Sequence, residues 1–293
     1  MVSGFGSQSM VAPLRRVVVK RPQEAFGASE RIAREWADLG FTAAPDLARA
    51  ASEHERLVAL LRESGAEVLC LPDADGTTLD SLYVHDAGLV TDAGAIVFRT
   101  GKPQRRGEGP ALGAALAGWG VPILGEVGGQ AMAEGGDTLW LDRRTLVVAR
   151  GFRTNAAGVA RIRELLAPLE IEVVETHLPC WDGRDALLHL QSVISLLDED
   201  LALVHRRPLP VPLLERLEAR RTRLLDVPEE ELGALGCNVL AVAPRTVLTL
   251  SGLPRTQALL EAAGCEVRTF AGEEIARKGH GGPTCLTRPV WRD

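Results

Sequence analysis

Short β-branched runs alternate along the chain with stretches whose apolar positions recur every three to four residues, and the alternation returns in the same order several times. Residues 16–20 (Arg-Val-Val-Val-Lys) read as a strand that stops at Arg21-Pro22, where proline cannot continue a ladder. Residues 23–46 have weak periodicity and predict a loop with a short helix over 31–36. Residues 47–64 carry an amphipathic helical pattern, and 67–71 a buried strand after the Gly65 stop. From there a strand, strand, helix, strand order is predicted again and again: 83–90, 95–99, 110–117 and 121–124, then 138–141, 145–149, 156–166 and 171–176. It recurs at 190–197, 201–205, 212–220 and 223–227, and at 238–243, 246–250, 256–263 and 266–270. One unit is split, its opening strand coming from the tail around Cys285 and its remainder from residues 16–71.

Five units of roughly 50 residues signal a radial or stacked α/β architecture rather than a doubly wound sheet. The repeat lies in pattern and not in residue identity, so its value is in what occupies equivalent places. Asp86, Asp137, His189, Asn238 and Cys285 each open a unit, at separations of 51, 52, 49 and 47 residues. In a closed ring, equivalent positions face one axis, and a carboxylate, an imidazole, an amide and a thiol would meet in one cavity.

Composition narrows the function classes. With 46% hydrophobic and 25% charged residues the chain is that of a globular protein, and a net charge of -6 offers no electrostatic reason for nucleic-acid binding. Five cysteines, widely spaced and without a C-x-x-C pair, suggest neither a disulfide framework nor a zinc site, and fit a reducing cytoplasm. Residues 1–14 lack the marks of a signal peptide and are expected to be a loose leader to a single domain over 1–293. No apolar run reaches the ~20 residues of a membrane span.

The chemistry centres on the tail from Lys278 to Arg292, where Cys285 follows a Gly-Gly-Pro turn that lets backbone approach closely and a side chain enter a cavity. A free cysteine is most often a small buried apolar residue. It becomes a nucleophile when a base removes its proton, and His189 is the candidate base, although an apolar strand around it also fits a core histidine. Glu134, in Ala133-Glu-Gly-Gly-Asp137, offers a carboxylate to orient the imidazole, while Asp137 is open to a substrate-binding role or to bonding backbone amides beside the two glycines. Acids beside a thiol raise its pKa, which makes sense when the substrate is a cation; a planar guanidinium pairs with a carboxylate through two parallel bonds, and Asp86 with Glu134 suits it. Arg99 and Arg153 are candidates to clamp a substrate carboxylate, or else surface or helix-capping arginines. His177 and Cys180 stand on a loop, so no metal site is expected.

The ordered set Val84-His-Asp86, Ile96-Val-Phe-Arg99, Arg105-Arg-Gly-Glu108, Glu134-Gly-Gly-Asp-Thr138, Arg153-Thr-Asn155, Leu188-His-Leu190, Cys237-Asn238 and Gly282-Pro-Thr-Cys285 resembles the guanidino-group modifying (pentein) family. It looks closest to dimethylarginine dimethylaminohydrolases and arginine deiminase-related proteins, over residues 16 to 292. The resemblance implies a five-bladed α/β propeller, with Cys285 as nucleophile, His189 as general acid/base, Glu134 as its partner and Asp86 as guanidinium ligand. Arg99 and Arg153 match positions that hold the substrate's amino-acid end. Two positions depart: His85 stands where similar dimethylarginine hydrolases carry an acid, and Gln191 where arginine deiminases typically carry an aspartate. His85 is therefore a candidate in substrate choice, unless it points away from the cavity as strand neighbours do.

The reading is a cofactor-free cytoplasmic hydrolase that cleaves a C–N bond of an arginine-like guanidine through a covalent thiouronium, giving citrulline or a related ureido product. The alternatives are an amidinotransferase, which passes the amidino group to an amine, and a non-enzymatic ligand-binding propeller. A small guanidino molecule is the expected partner, without nucleic acid or membrane; homo-oligomerisation and the N-substitution of the substrate are left open.

Overall fold

The structure is a computed structural model that describes residues 4–181, 183 and 188–293. Its described residues form a mixed α/β fold of five three-stranded sheets that share one wiring. The sheet uniting the two ends of the chain sets β1 (Leu14–Val19) parallel to β2 (Glu67–Cys70) and antiparallel to the last strand, β15 (Arg288–Arg292). In chain order follow β3 (Gly88–Thr91), β4 (Gly94–Phe98) and β5 (Ile123–Val127), then β6 (Thr138–Asp142), β7 (Thr145–Arg150) and β8 (Glu172–His177). The remaining two are β9 (Ile194–Asp198), β10 (Leu201–Val204) and β11 (Arg223–Asp226), and β12 (Leu240–Ala243), β13 (Thr246–Leu250) and β14 (Glu266–Phe270). Each has an antiparallel first pair and a parallel second pair.

A parallel pair needs a long crossover. A helix supplies it every time: α1 (Leu47–Glu63), α2 (Glu108–Gly118), α3 (Ala156–Leu166), α4 (Val211–Ala219) and α5 (Pro254–Ala262). Local chemistry sets the boundaries. Asp46 caps α1 by accepting from Arg49 N (2.8 Å), and Asn155 caps α3 by accepting from Gly158 N (2.8 Å). In the hairpin between β6 and β7, Asp142 Oδ1 accepts from Arg144 N (2.8 Å), an Asx-type turn that ends one strand and starts the next.

The middle strands β4 and β10 are buried at every residue, which is why they read as continuous apolar runs without alternation. Packing crosses sheet boundaries: Leu139 and Val147 share a cluster with Ile194, Leu203 and Val247 from the next two sheets. Deleting one such leucine side chain costs about 2–5 kcal/mol, so the sheets hold one another in place.

The repeat order expected from the sequence is present, with three local differences. The strands expected over 83–90 and 190–197 begin later, because their first residues form tight 3-10 turns, Val84–Ala87 and Leu190–Ser192; a third such turn, Gly135–Asp137, precedes β6. His189 thus caps a turn instead of lying in an apolar strand, and Leu187 of that expected strand falls outside the described residues. In chain order the first turn, Val84–Ala87, packs on the second, Gly135–Asp137, and the second on the third, Leu190–Ser192. Finally, the leader is not loose where it is described. Gly6 N donates to Val290 O (2.8 Å), and buried Gln8 donates to Arg143 O (2.6 Å) and accepts from Asp92 N (2.8 Å), tying the segment across two hairpins. Met1–Ser3 lie outside the described residues. Among the described residues no helix is long and apolar enough to cross a membrane.

Candidate active site

The packed 3-10 turns carry the polar groups inward. Glu134, directly before the second turn, is fully buried; its Oε1 accepts from Gly101 N (2.8 Å) and its Oε2 from His189 Nε2 (2.7 Å). His189 Nδ1 lies 3.9 Å from Asp86 Oδ1, on the first turn. Gly136 is required between them: a Cβ there would meet His189 Nδ1 at 2.5 Å and Asp86 Oδ1 at 3.1 Å. Without that side chain, Gly136 N reaches Asp86 Oδ1 (2.9 Å) and fixes it. Asp137 accepts from Thr154 Oγ1 (2.7 Å) and from Leu190 N (3.2 Å), so it pins the turn that follows His189.

Charge decides the protonation states. Burial works against an imidazolium at His189, but Asp86, Asp137 and the bond to Glu134 outweigh it and raise its pKa to about 9. Burial likewise opposes ionisation of Asp86 and Glu134, yet the imidazolium, together with Arg105 at Asp86, holds both below the usual carboxylate range. Asp137 is different. Burial dominates there and pushes it up to about 7.

Cys285 is partly exposed, and its Sγ receives Asn238 Nδ2 (3.4 Å). Asn238 Oδ1 accepts from Thr284 N (3.0 Å), and Gly282 allows that approach, since a Cβ there would sit 2.5 Å from Asn238 Cγ. Burial of the sulfur and the Asp86 charge push the thiol up to about 12, against the Asn238 bond. At neutral pH it is a thiol, not a thiolate.

A cavity of about 550 Å³ opens above this cluster, with Asn238, Arg153, Lys102, Gly279 and His280 in its wall. It reaches the chemistry through Asn238, bonded to Cys285, and through Arg153, whose Nη1 lies 3.9 Å from Glu134 Oε1. Arg153 is buried, and among the described residues Nη1 has no hydrogen-bond partner. A more apolar groove of about 510 Å³ lies elsewhere, between Phe98, Pro110 and Ile123, away from every group of the cluster.

The structure therefore brings together Cys285, His189, Glu134, Asp86 and Asp137, with Arg153 at the cavity wall. Two expected residues fall elsewhere. Arg99 lines the apolar groove, because the end of β4 turns its side chain outward. His85 faces the opposite way from Asp86: its Nδ1 lies 2.8 Å from Thr287 O and its Nε2 receives Gln191 Nε2 (3.0 Å) and Arg288 Nη2 (2.7 Å). Burial and Arg288 depress it to about 3, so it is a neutral structural imidazole outside the cavity.

Arg105 is the residue that sequence reasoning passed over. Its Nη1 donates to Asp86 Oδ2 (2.8 Å), its Nε and Nη2 fork onto Glu108 (2.9 and 2.8 Å), and Nη2 also reaches Tyr83 O (3.1 Å). The spacing Arg105-Arg-Gly-Glu108, a cation and an acid three apart at a helix start, was the available signal. Asp86, Glu134 and His189 offer ligand atoms within 4.8 Å of one another, as a metal site would. Those atoms already serve each other, Arg105, Gly101 N and Gly136 N, which is the pattern of an acid–base cluster.

A thiol, an imidazolium between two carboxylates and a buried arginine that borders a cavity lie together on an α/β scaffold of five like sheets. The family model described as N,N dimethylarginine dimethylhydrolase, eukaryotic, matches residues 31–292. The chain is 31% identical over 278 residues to the N(G),N(G)-dimethylarginine dimethylaminohydrolase of Streptomyces coelicolor, covering 94% of this chain and 96% of that one. Its fold is similar to that of the Pseudomonas aeruginosa dimethylarginine dimethylaminohydrolase complexed with citrulline (TM-score 0.76, 21% identity, 94% and 99% of the two chains). It is also similar to an amidinotransferase of the saxitoxin biosynthetic pathway of Microseira wollei (TM-score 0.80, 17% identity, 99% and 97%). The chain belongs to the dimethylarginine dimethylaminohydrolase family, within the guanidino-group modifying proteins.

Proposed function

We propose that this protein hydrolyses a C–N bond of an arginine-like guanidine, with Cys285 as nucleophile and His189 as general acid and base. The observation that carries the proposal is the buried His189, bonded to Glu134 at 2.7 Å and set beside Asp86, under a cavity whose wall includes Asn238, the partner of Cys285. The five like sheets are read as blades of one closed propeller domain, with the cluster on its axis.

Asp86 accepts two hydrogen bonds, which leaves lone pairs for a substrate guanidinium. That cation would lower the thiol pKa from about 12, so the thiol gives its proton to solvent and the thiolate forms when substrate is bound. The thiolate attacks the guanidinium carbon. As the C–N bond breaks, the His189 imidazolium gives its proton to the departing nitrogen, leaving an S-linked thiouronium. Water then adds to that carbon and loses one proton to neutral His189; as the C–S bond breaks, the new hydroxyl becomes the ureido carbonyl and its proton passes to the departing sulfur, so the thiol is restored and the product leaves. Arg153 Nη1, which among the described residues has no hydrogen-bond partner, suits a carboxylate on the substrate's amino-acid end.

The test is a panel of arginine, N-monomethylarginine, N,N-dimethylarginine and a decarboxylated guanidine, read by ureido formation and by the amine released. Cys285→Ser should lose about 10³-fold or more in turnover while keeping its fold. In quenched wild type, intact mass should show an adduct on the C-terminal peptide. A serine variant at the wild-type rate removes Cys285 from the chemistry, and an amidino group transferred only to added amines makes the protein a transferase.

A further inference from the structure

Behind the catalytic turns, on the side to which His85 points, lies a small cavity with a free volume of about 20 Å³. Its wall includes Arg288, Arg292, Trp140, Gln191 and His85, all buried. None of them serves the chemistry described above. The two arginines are each 4% exposed, and among the described residues neither forms an ion pair. Arg288 spends its Nη groups on Gly88 O (2.6 Å) and His85 (2.7 Å), and Arg292 spends one on Ala241 O (2.8 Å) and another on Ala12 O (2.5 Å). Three N–H donors are left over: Arg288 Nε, Arg292 Nε and Trp140 Nε1 have no acceptor among the described residues.

Two guanidiniums buried close together without a counter-charge are costly, since each has been stripped of water and each repels the other. Deprotonation does not relieve them, because burial lowers both only to about 9, still far above neutral pH. Asp86 acts on Arg288 from the far side of the turn but is committed to Arg105 and Gly136 N. A single water accepts at most two of the three free N–H groups and brings no charge. The small free volume favours a compact ion over a carboxylate or phosphate. The one unpaired acceptor in the wall, Gln191 Oε1, is outnumbered by these donors.

We propose that this small cavity binds one small monovalent anion of halide size, held by Arg288 and Arg292 behind the catalytic cluster. The anion supplies the missing charge and accepts the free Nε–H groups. Its place in the fold gives it a consequence. Arg288 and Arg292 bound β15, which follows Cys285 directly, and Arg288 also grips His85, whose backbone N donates to Cys285 O (3.2 Å). The anion therefore fastens the segment that carries the thiol to the turn that carries Asp86.

The experiment uses full-length protein purified in halide-free methanesulfonate buffer, then melted at constant ionic strength in methanesulfonate, chloride or bromide. Halide should raise the melting temperature saturably, by about 2 °C or more, and Arg292→Met should abolish that dependence. Crystals grown in bromide should show an anomalous peak between the two guanidinium groups. This second reading needs no variant, so it stands if Arg292→Met fails to fold. Equal melting temperatures in halide and methanesulfonate, with no bromide peak in the cavity, would mean that water alone fills it and would overturn the proposal.

Discussion

Replacing Glu134 by Gln keeps the shape of the side chain and its bond to Gly101 N while removing the charge that faces His189 Nε2 at 2.7 Å. A hydrogen bond to a charged group is worth about 1.5–3 kcal/mol, which corresponds to about 1–2 pH units. His189 stands at about 9, and Asp86 and Asp137 remain to support it, so its pKa in Glu134→Gln should fall to about 7–8. In the proposed mechanism the protonated imidazole is the acid that expels the amine. The alkaline limb of the pH profile of kcat should therefore move down by the same 1–2 units, while the loss at pH 6 stays small. The ring resonances of His189 in NMR give the same quantity without turnover.

Stability provides an independent reading with a definite sign. The folded pKa of about 9 lies above the ordinary 6.5, so the native state binds the proton more tightly than the unfolded chain. That contribution is complete below pH 6.5 and is lost as pH rises through 9. Denaturant unfolding at stepped pH should show wild-type stability declining across this window and a flatter decline in Glu134→Gln. A variant whose rate falls equally at every pH, with the alkaline limb and the stability slope unmoved, would refute the claim that Glu134 sets the charge of His189.

Two further outcomes follow from the same geometry. Gly136→Ala puts a methyl 2.5 Å from His189 Nδ1, so the ring must shift, and turnover should fall about 100-fold with the melting temperature less affected; an unchanged rate would show that the turn has slack. Alkylation of Cys285 by neutral iodoacetamide should be slow at pH 7 and climb about tenfold per pH unit toward 12, whereas a plateau already reached by pH 8 would contradict the buried, acid-flanked thiol.

The repeat was legible because its elements have contrasting periods: β-branched strands on either side of helices such as Leu47–Glu63, at nearly constant spacing. Constant spacing is also what pointed Asp86, Asp137, His189, Asn238 and Cys285 toward one another. The 3-10 turns were not legible, since three or four residues have no periodicity to read, and it is these turns, not strand ends, that aim the side chains. Arg99 was misplaced for a related reason. β4 is buried on both faces, so apolar residues occupy every position and alternation gives no hint of where the residue after Phe98 points. The adjacent pair Arg105-Arg106 hides the opposite case, because one arginine is buried against Asp86 while its neighbour lines the outer groove. Leader residues such as Gln8 escape a pattern search because single polar side chains, not apolar runs, tie them down.

The buried charges explain why these acids and this thiol belong together. In the free site, Asp86 and Glu134 are ionised, His189 and Arg105 are cations, and the thiol keeps its proton because its sulfur is buried and Asp86 stands near it. The cluster is close to balanced, and it lacks the positive charge a thiolate would need. Arg105 cannot supply it, since its fork is taken by Glu108 and its remaining bonds by Asp86 and Tyr83 O. A guanidinium arriving at Asp86 would bring that charge to the carbon to be attacked, and the same contact would orient it. A neutral urea in the same position makes no such contribution, so the product does not sustain the thiolate that would attack it again. In the proposed mechanism, selectivity for a cation and the timing of nucleophile formation thus have one physical origin, the carboxylate that Arg105 and Gly136 hold beside Cys285 and His189.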